Sequence, residues 1–502
     1  MSGNLFTHST STAKFQARAA WLKRKTALSN PRSLTSDFTF HFSVFTFQFS
    51  PFTFKLKSFT AHYKELTRLG LPIVIGQLGI IFVSFADTFM VGHHGKSDLA
   101  AAGFVNNVFN LVIIFATGFS YGLTPIIGKL FGCNEKRKAG GVLRNALFAN
   151  SVMSAILMVI MWLLYLNIDR LGQPVELLGL MRPYHLTLLI SIPFILLFNA
   201  FRQFADGITD TKTSMWILLA GNMLNVVGNY LLIFGKCGLP ELGLLGAGIS
   251  TLLSRMAMLA IFLIIFFKKR SYREYTLGFW HTKITTRSQK ELFRVGLPVA
   301  IQMGLETASF SLATIMVGWL GTTALAAHQI MCTVGQLGFM LYYGMAAAVA
   351  VKVSNYNGTG DTANIRHTTS AGFHLILVMA LFASVIIYLG RHHIGGIFND
   401  DREVATMVAT LSLPFILYQF GDGLQCNYSN ALRGIADVKP VMLYAFIAYF
   451  VISLPVGYLF GFVFDWGLQG VWMSFPFGLT SAGVMFYLRF KSTIRKKEAA
   501  MY

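Results

Sequence analysis

Three carboxylates, Asp87, Glu306 and Asp422, stand deep inside long apolar stretches of this 502-residue chain. A charge within hydrocarbon is costly, so each needs a partner or a task. No equally deep Lys or Arg accompanies them in the pattern, so a proton or Na+ is expected to balance them. Tyr418 and Asp422 are four residues apart and share one helix face, as do Gln302 and Glu306, and Asn225 and Asn229. Oxygen donors at this spacing suit a bound Na+ as well as a proton relay. For the Asn pair, hydrogen bonding between helices is an equal alternative. His328 and His374 read as hydrogen-bonded packing residues. Arg255 and Lys352 read as side chains that snorkel to the basic surface. Phe339, Tyr342 and Tyr343 read mainly as packing or lipid-facing rings, a few of which could meet flat cations by cation–π contact.

The elements that position these groups are transmembrane helices. Hydrophobic residues make up 54% of the chain and charged residues only 12%, about half the charged share of a soluble protein. Apolar runs of roughly 20 residues, enough to cross a bilayer as helices, recur along the chain. Twelve spans are expected, at 71–92, 104–131, 145–168, 184–205, 215–235, 244–267, 297–319, 329–356, 370–390, 405–432, 440–463 and 468–490. The net charge of +20 would suggest nucleic acid in a soluble protein. Here Lys and Arg cluster in short loops, and no nucleic-acid partner is expected. Lys136, Arg137, Lys138 and Arg144 follow the second span, and the segment from Lys268 to Arg294 is the most basic. The loops after the seventh and eleventh spans hold no Lys or Arg. Both termini and the central loop are therefore expected on the cytoplasmic side.

The chain repeats itself. Lys64-Glu65-Leu66-Thr67-Arg68-Leu69-Gly70-Leu71-Pro72 returns as Lys290-Glu291-Leu292-Phe293-Arg294-Val295-Gly296-Leu297-Pro298. Further matches follow collinearly: Met90-Val91-Gly92 with Met316-Val317-Gly318, Gly118 with Gly344, Gly132 with Gly358, and Gly207 and Asp210 with Gly434 and Asp437. Six spans repeated as six give two lobes of one orientation, related by a pseudo-twofold axis along the membrane normal, with sites near mid-membrane. Pro72 and Pro298 are expected to begin the first helix of each lobe.

The expected division is an atypical extension at 1–62, a first lobe at 63–267, a linker loop at 268–294, a second lobe at 295–490 and a basic tail at 491–502. The extension is rich in Ser, Thr, Phe and basic residues, with Asp37 its one acid up to residue 60. It reads as a disordered or transit-like segment or, preferably, a mis-assigned start. Cys133, Cys237, Cys332 and Cys426 form no CxxC pair, so neither a disulfide framework nor a zinc site is expected. No HExxH, GxSxG or Walker motif occurs, which argues against an enzyme or a single-chain ATP-driven pump.

From about Leu66 to Lys491 the chain resembles the multidrug and toxic compound extrusion (MATE) transporters. The residues that carry the likeness are Asp87-Thr88-Phe89-Met90-Val91-Gly92, Met316-Val317-Gly318, Ala326-Ala327-His328-Gln329 and Ala431-Leu432-Arg433-Gly434 with Asp437. The NorM-like branch is nearest, since Glu306, Tyr418 and Asp422 occupy its acid and Tyr-x-x-x-Asp positions. The resemblance implies a V-shaped all-α fold of twelve helices in two lobes. It implies export of cationic or amphiphilic drugs in exchange for Na+ or H+, with no other cofactor. It makes Asp87, Glu306, Tyr418 and Asp422 the cation-coupling residues, with Na+ possible at the last three. Asn225, Asn229, Gln302 and Thr251 are then secondary polar residues, and Asn229 stands where some relatives carry an acid. A monomer in a bacterial inner membrane is expected. The alternative is a flippase for lipid-linked precursors, which many cavity-facing Arg would favour.

Overall fold

The computed structural model describes residues 56–398 and 401–500, so most of the 1–62 extension lies outside the described residues. Every regular element described is helical. Eleven helices are long and apolar enough to cross a membrane, and a bent pair completes twelve. The first six are Phe59–His94, Lys96–Gly132, Lys136–Leu166, Val175–Gly207, Thr211–Ile233 and Gly243–Lys268. The second six are Thr286–Gly318, Thr322–Thr359, Thr362–Phe398, the pair Arg402–Thr410 and Ser412–Gly434, Val438–Val463 and Gly467–Ala499. All twelve expected spans are present. Most are longer than expected, because the helices continue past the hydrocarbon-length run into the polar flanks.

Prolines account for the breaks. The tenth span bends by 47°, and Pro414 just beyond the break has no N–H for the Thr410 carbonyl. The second span is interrupted at Gly122, where Pro125 leaves the Tyr121 carbonyl unbonded in the same way. Pro72 and Pro298, expected at helix starts, lie inside helices that begin at Leu56 and Thr286. The basic residues ahead of each proline already have helical geometry, and the helix runs on through the proline rather than opening at it. The eleventh span carries two π-helical segments, Ile447–Ser453 and Leu459–Val463.

The boundaries also shift. The first helix is under way at Leu56, ahead of residue 63, and the last runs to Ala499 through the expected tail. The linker is not a free loop. A short helix, Arg273–His281, packs on the third span. A Cβ on Gly140 would stand 1.9 Å from the Tyr275 carbonyl oxygen, so only glycine fits there. Arg144 donates to the carbonyls of Phe279, Trp280 and Thr282 at 2.9–3.3 Å.

Each lobe has its own core. Phe109, Leu143, Phe198, Phe201 and Phe262 are buried in the first, and Phe415, Trp472, Phe475 and Phe486 in the second. Each lobe's first helix plants its leading end in the other lobe: Leu66 belongs to the second core and its repeat partner Leu292 to the first. The lobes meet where the first span packs on the eighth and, by the same symmetry, the seventh on the second. Small residues permit the crossing. A Cβ on Gly118 would lie 2.8 Å from the Ala300 Cα, and one on Gly344 would lie 2.9 Å from the Val74 backbone N. A Cβ on Gly132 would meet the Asn355 carbonyl, and one on Gly358 the Lys129 carbonyl. These contacts lie in the half that bears the basic loops. Toward the other end of the second and eighth spans, Asn106, Asn107, Gln336 and Leu337 are exposed.

Candidate functional site

The structure assembles the expected residues into one cluster per lobe. In the first lobe, the fifth span faces the first and the sixth. Asn229, fully buried, donates through Nδ2 to Asp87 Oδ1. One turn earlier, Asn225 donates to Thr251 Oγ1 at 3.2 Å, and Ser250 holds the Asn225 carbonyl at 2.8 Å. Asn225 Oδ1, Asn229 Oδ1 and Asn222 Nδ2 are buried without partners. Buried polar atoms of this kind are expensive unless a water, ion or ligand satisfies them. The four residues singled out in this lobe are thus brought together.

Arg255 departs from expectation. It does not snorkel to the surface. Its Nη1 donates to Ser191 Oγ at 2.6 Å, and its charge interacts with Asp87. Tyr184, which donates to Asn106 Oδ1 at 2.9 Å, stands within the same field. This first-lobe cluster therefore holds one acid, Asp87, and one guanidinium, Arg255. Lys352 is partly exposed, pairs with the partly exposed Glu65 at 2.7 Å and lies over the Tyr356 ring.

In the second lobe, Asp422 is 1% exposed, and its Oδ2 has no partner. Its other oxygen is met only by the Cys426 thiol, at 3.8 Å. Glu306, half-buried on the seventh span, interacts electrostatically with Asp422. Tyr418, 8% exposed, lies within the field of both acids. Gln302 is buried one turn before Glu306, and no described hydrogen bond joins it to either acid. Gln425 and Tyr449 had not been singled out. Gln425 lies against Glu306 and donates to Tyr449 Oη at 2.6 Å. The i,i+3 spacing from Asp422 could have pointed to Gln425, but Tyr449 arrives on a π segment whose phase a 3.6-residue pattern misses. His328 packs as expected, its Nε2 paired with Thr314 Oγ1 at 2.9 Å against Trp472.

A third cluster corrects the premise that the buried acids lack basic company. Arg202, Asp206 and Arg433 are 5–7% exposed, on the fourth and tenth spans. They line a small cavity between the lobes, about 20 Å³, together with Gln77, Tyr121, Gln203, Tyr343 and Asn430. At the repeat offset, Asp206 corresponds to Arg433 and Gln203 to Asn430. Arg202 Nε lies 4.0 Å from Asp206 Oδ2, and Arg433 donates to Asn430 Oδ1 at 3.2 Å. The fourth span, expected to end at 205, runs on to Gly207 and so includes Asp206.

Among the described residues no three His, Cys, Asp or Glu gather as metal ligands. A coupling Na+ would rest on the two carboxylates of the second lobe and neutral oxygens such as Tyr418.

Duplicated lobes meeting over polar clusters buried in spanning helices define a polytopic membrane transporter. A family model described as MatE matches residues 72–231 and 298–459, one stretch in each lobe. The chain belongs to the MatE family of multidrug and toxic compound extrusion transporters. Its fold is similar to that of a eukaryotic MATE transporter, AtDTX14, with a TM-score of 0.78 at 18% identity over 88% of this chain and 100% of that one. It is also similar to a MOP superfamily transporter from Pyrococcus furiosus, with a TM-score of 0.77 at 20% identity over 87% and 97%. A Vibrio cholerae MATE transporter, VcmN, gives 0.77 at 18% identity over 88% and 98%.

Proposed function

We propose that the protein exports organic cations or cationic amphiphiles in exchange for Na+ or H+, by alternating access. One observation carries this reading. The second lobe sets two interacting carboxylates within its spans, a half-buried Glu306 and a buried Asp422, and leaves one Asp422 oxygen without a partner. Two such charges are stable in hydrocarbon only with a cation or protons bound. Ion and substrate then compete for the same acids, so loading one releases the other. In the first lobe Asp87 already has Arg255 as a charge neighbour and Asn229 as a donor, so the second lobe carries the main coupling site.

The positive-inside pattern supports cytoplasmic termini, with the close crossing of the lobes on the cytoplasmic side. The cleft would then open outward. Efflux from proteoliposomes under separately imposed Na+ and proton gradients tests the reading. One gradient should drive export; export driven by neither would sink it. Arg202 and Arg433, both facing the inter-lobe cavity, favour a second reading, a lipid-linked precursor flippase. Gradient-independent movement of an anionic lipid-linked sugar would support that one instead.

A further inference from the structure

Arg433 sits between two parts of the molecule that an antiporter must connect. On one side is the acid pair of the second lobe, since the Arg433 charge interacts with Glu306. On the other is the first lobe, since the Arg433 guanidinium stands over the Tyr121 ring at 5.3 Å. Tyr121 belongs to the second span, at the break before Gly122, and its ring meets Tyr343 of the eighth span at 5.8 Å. Gly122 opposes Gly296 at the lobe crossing. Arg433, Tyr121 and Tyr343 therefore touch both lobes where they close.

Arg433 is also incompletely held. It is 5% exposed, one Nη donates to Asn430, the guanidinium also meets the Tyr343 hydroxyl, and its Nε has no partner. A guanidinium carries five N–H donors, and one left unused in the interior can take up a new acceptor. The repeat partner of Arg433 is Asp206, which lines the same cavity and also has an unpartnered oxygen, Oδ1. Arg202 lies beside Asp206, so the first-lobe wall already carries a balanced pair and Arg433 is the cation left to respond to Glu306.

We propose that Arg433 is the positioning residue that transmits occupancy of the Glu306–Asp422 site to the contact between the lobes. A coupling cation at the acids offsets the pull of Glu306 on Arg433, and its loss restores that pull, so occupancy changes the contact that Arg433 makes across to Tyr121. A ligand shifts such an equilibrium only through a difference in its interaction with the two states, and the Arg433 charge supplies that difference. This inference rests on the proposal that the second lobe holds the coupling cation.

The test uses the full-length protein in proteoliposomes, with Na+ and H+ each tried as the coupling ion. Three quantities are measured: cation binding, gradient-driven efflux, and the spin-label distance between Lys138→Cys and Ala363→Cys, with the exposed Cys133 and Cys237 replaced by Ser. In the parent protein the cation should shift the distance. Arg433→Gln should still bind the cation, within about threefold of the parent, while losing the distance response and about tenfold or more in efflux. Tyr121→Phe keeps the ring face and should behave as the parent. Tyr121→Leu should reproduce Arg433→Gln. A normal distance response in Arg433→Gln or Tyr121→Leu overturns the inference. Unaltered cation binding in Glu306→Gln instead overturns the underlying reading of the ion site, so the two failures are distinguishable. If Arg433→Gln does not fold, Tyr121→Leu, which leaves every charge in place, decides the matter.

Discussion

Gly122 and Gly296 approach each other more closely than any side chain allows. A Cβ on Gly122 would stand 2.5 Å from the Gly296 Cα, and one on Gly296 would stand 2.7 Å from the Phe119 carbonyl oxygen. This is the tightest point of the seventh span on the second, at the site where Tyr121 ends its helix. Gly70, the repeat partner of Gly296, makes the matching approach to Met345 on the eighth span, but there it meets the thioether sulfur, a flexible neighbour that can yield.

The asymmetry gives a first prediction. Gly122→Val should push the lobes apart and cost about 3 kcal/mol, the upper end of ordinary overpacking, because backbone stands in the way. Gly70→Ala should cost about 1 kcal/mol, because only the Met345 side chain must move. Thermal melts of the detergent-purified variants would show it, and equal losses at the two sites would contradict it.

At the second-lobe acids, Asp422→Asn and Glu306→Gln should each lower gradient-driven efflux by roughly tenfold or more while the proteins still express and insert. Drug resistance in cells making either variant is the readout. Full resistance would remove that residue from the coupling site.

In the first lobe, Asn229→Leu would take the described donor from Asp87 and leave it with the more distant Arg255. Stability should fall by about 1–3 kcal/mol, the usual cost of stranding a buried polar group. Asn229→Asp should instead add a carboxylate. Combined with Asp422→Asn, it should restore measurable cation binding, now in the first lobe, and its failure to do so would show that Arg255 already satisfies that site.

A pH dependence comes from Asp210, in the turn before the fifth span. Burial works against its charge, but the Lys269 ammonium at 2.6 Å and the Tyr272 and Thr213 hydroxyls outweigh it and hold its carboxyl below the usual carboxylate range. A carboxylate with a depressed folded-state pKa stabilises above its unfolded value and loses that contribution as pH falls through the folded one. Asp210→Asn should therefore cost about 1 kcal/mol near neutrality, since Lys269 is well exposed and partly screened. The gap to the parent should close in strong acid. A gap that is flat with pH would mean that the packing of Tyr272, and not the charge, stabilises this turn.

Much of this protein was legible as sequence. Long apolar runs require helices wherever a backbone must satisfy itself in lipid, so the twelve spans could be located along the chain, though not their ends. The repeat fixed two lobes of the same orientation. Four-residue spacing put Tyr418 with Asp422 and Asn225 with Asn229 on shared faces, because that follows from helix geometry alone. What the sequence left open is which face of one helix meets which face of another. That depends on rotation and close approach, set by residues hundreds of positions apart. Only the tertiary structure brought Arg255 within the field of Asp87, and only it set Arg433 over Tyr121 within the field of Glu306. The Gly-Leu-Pro tracts read as helix starts in one dimension. In three they are crossing points within continuous helices, because glycine admits a close neighbour from the other lobe.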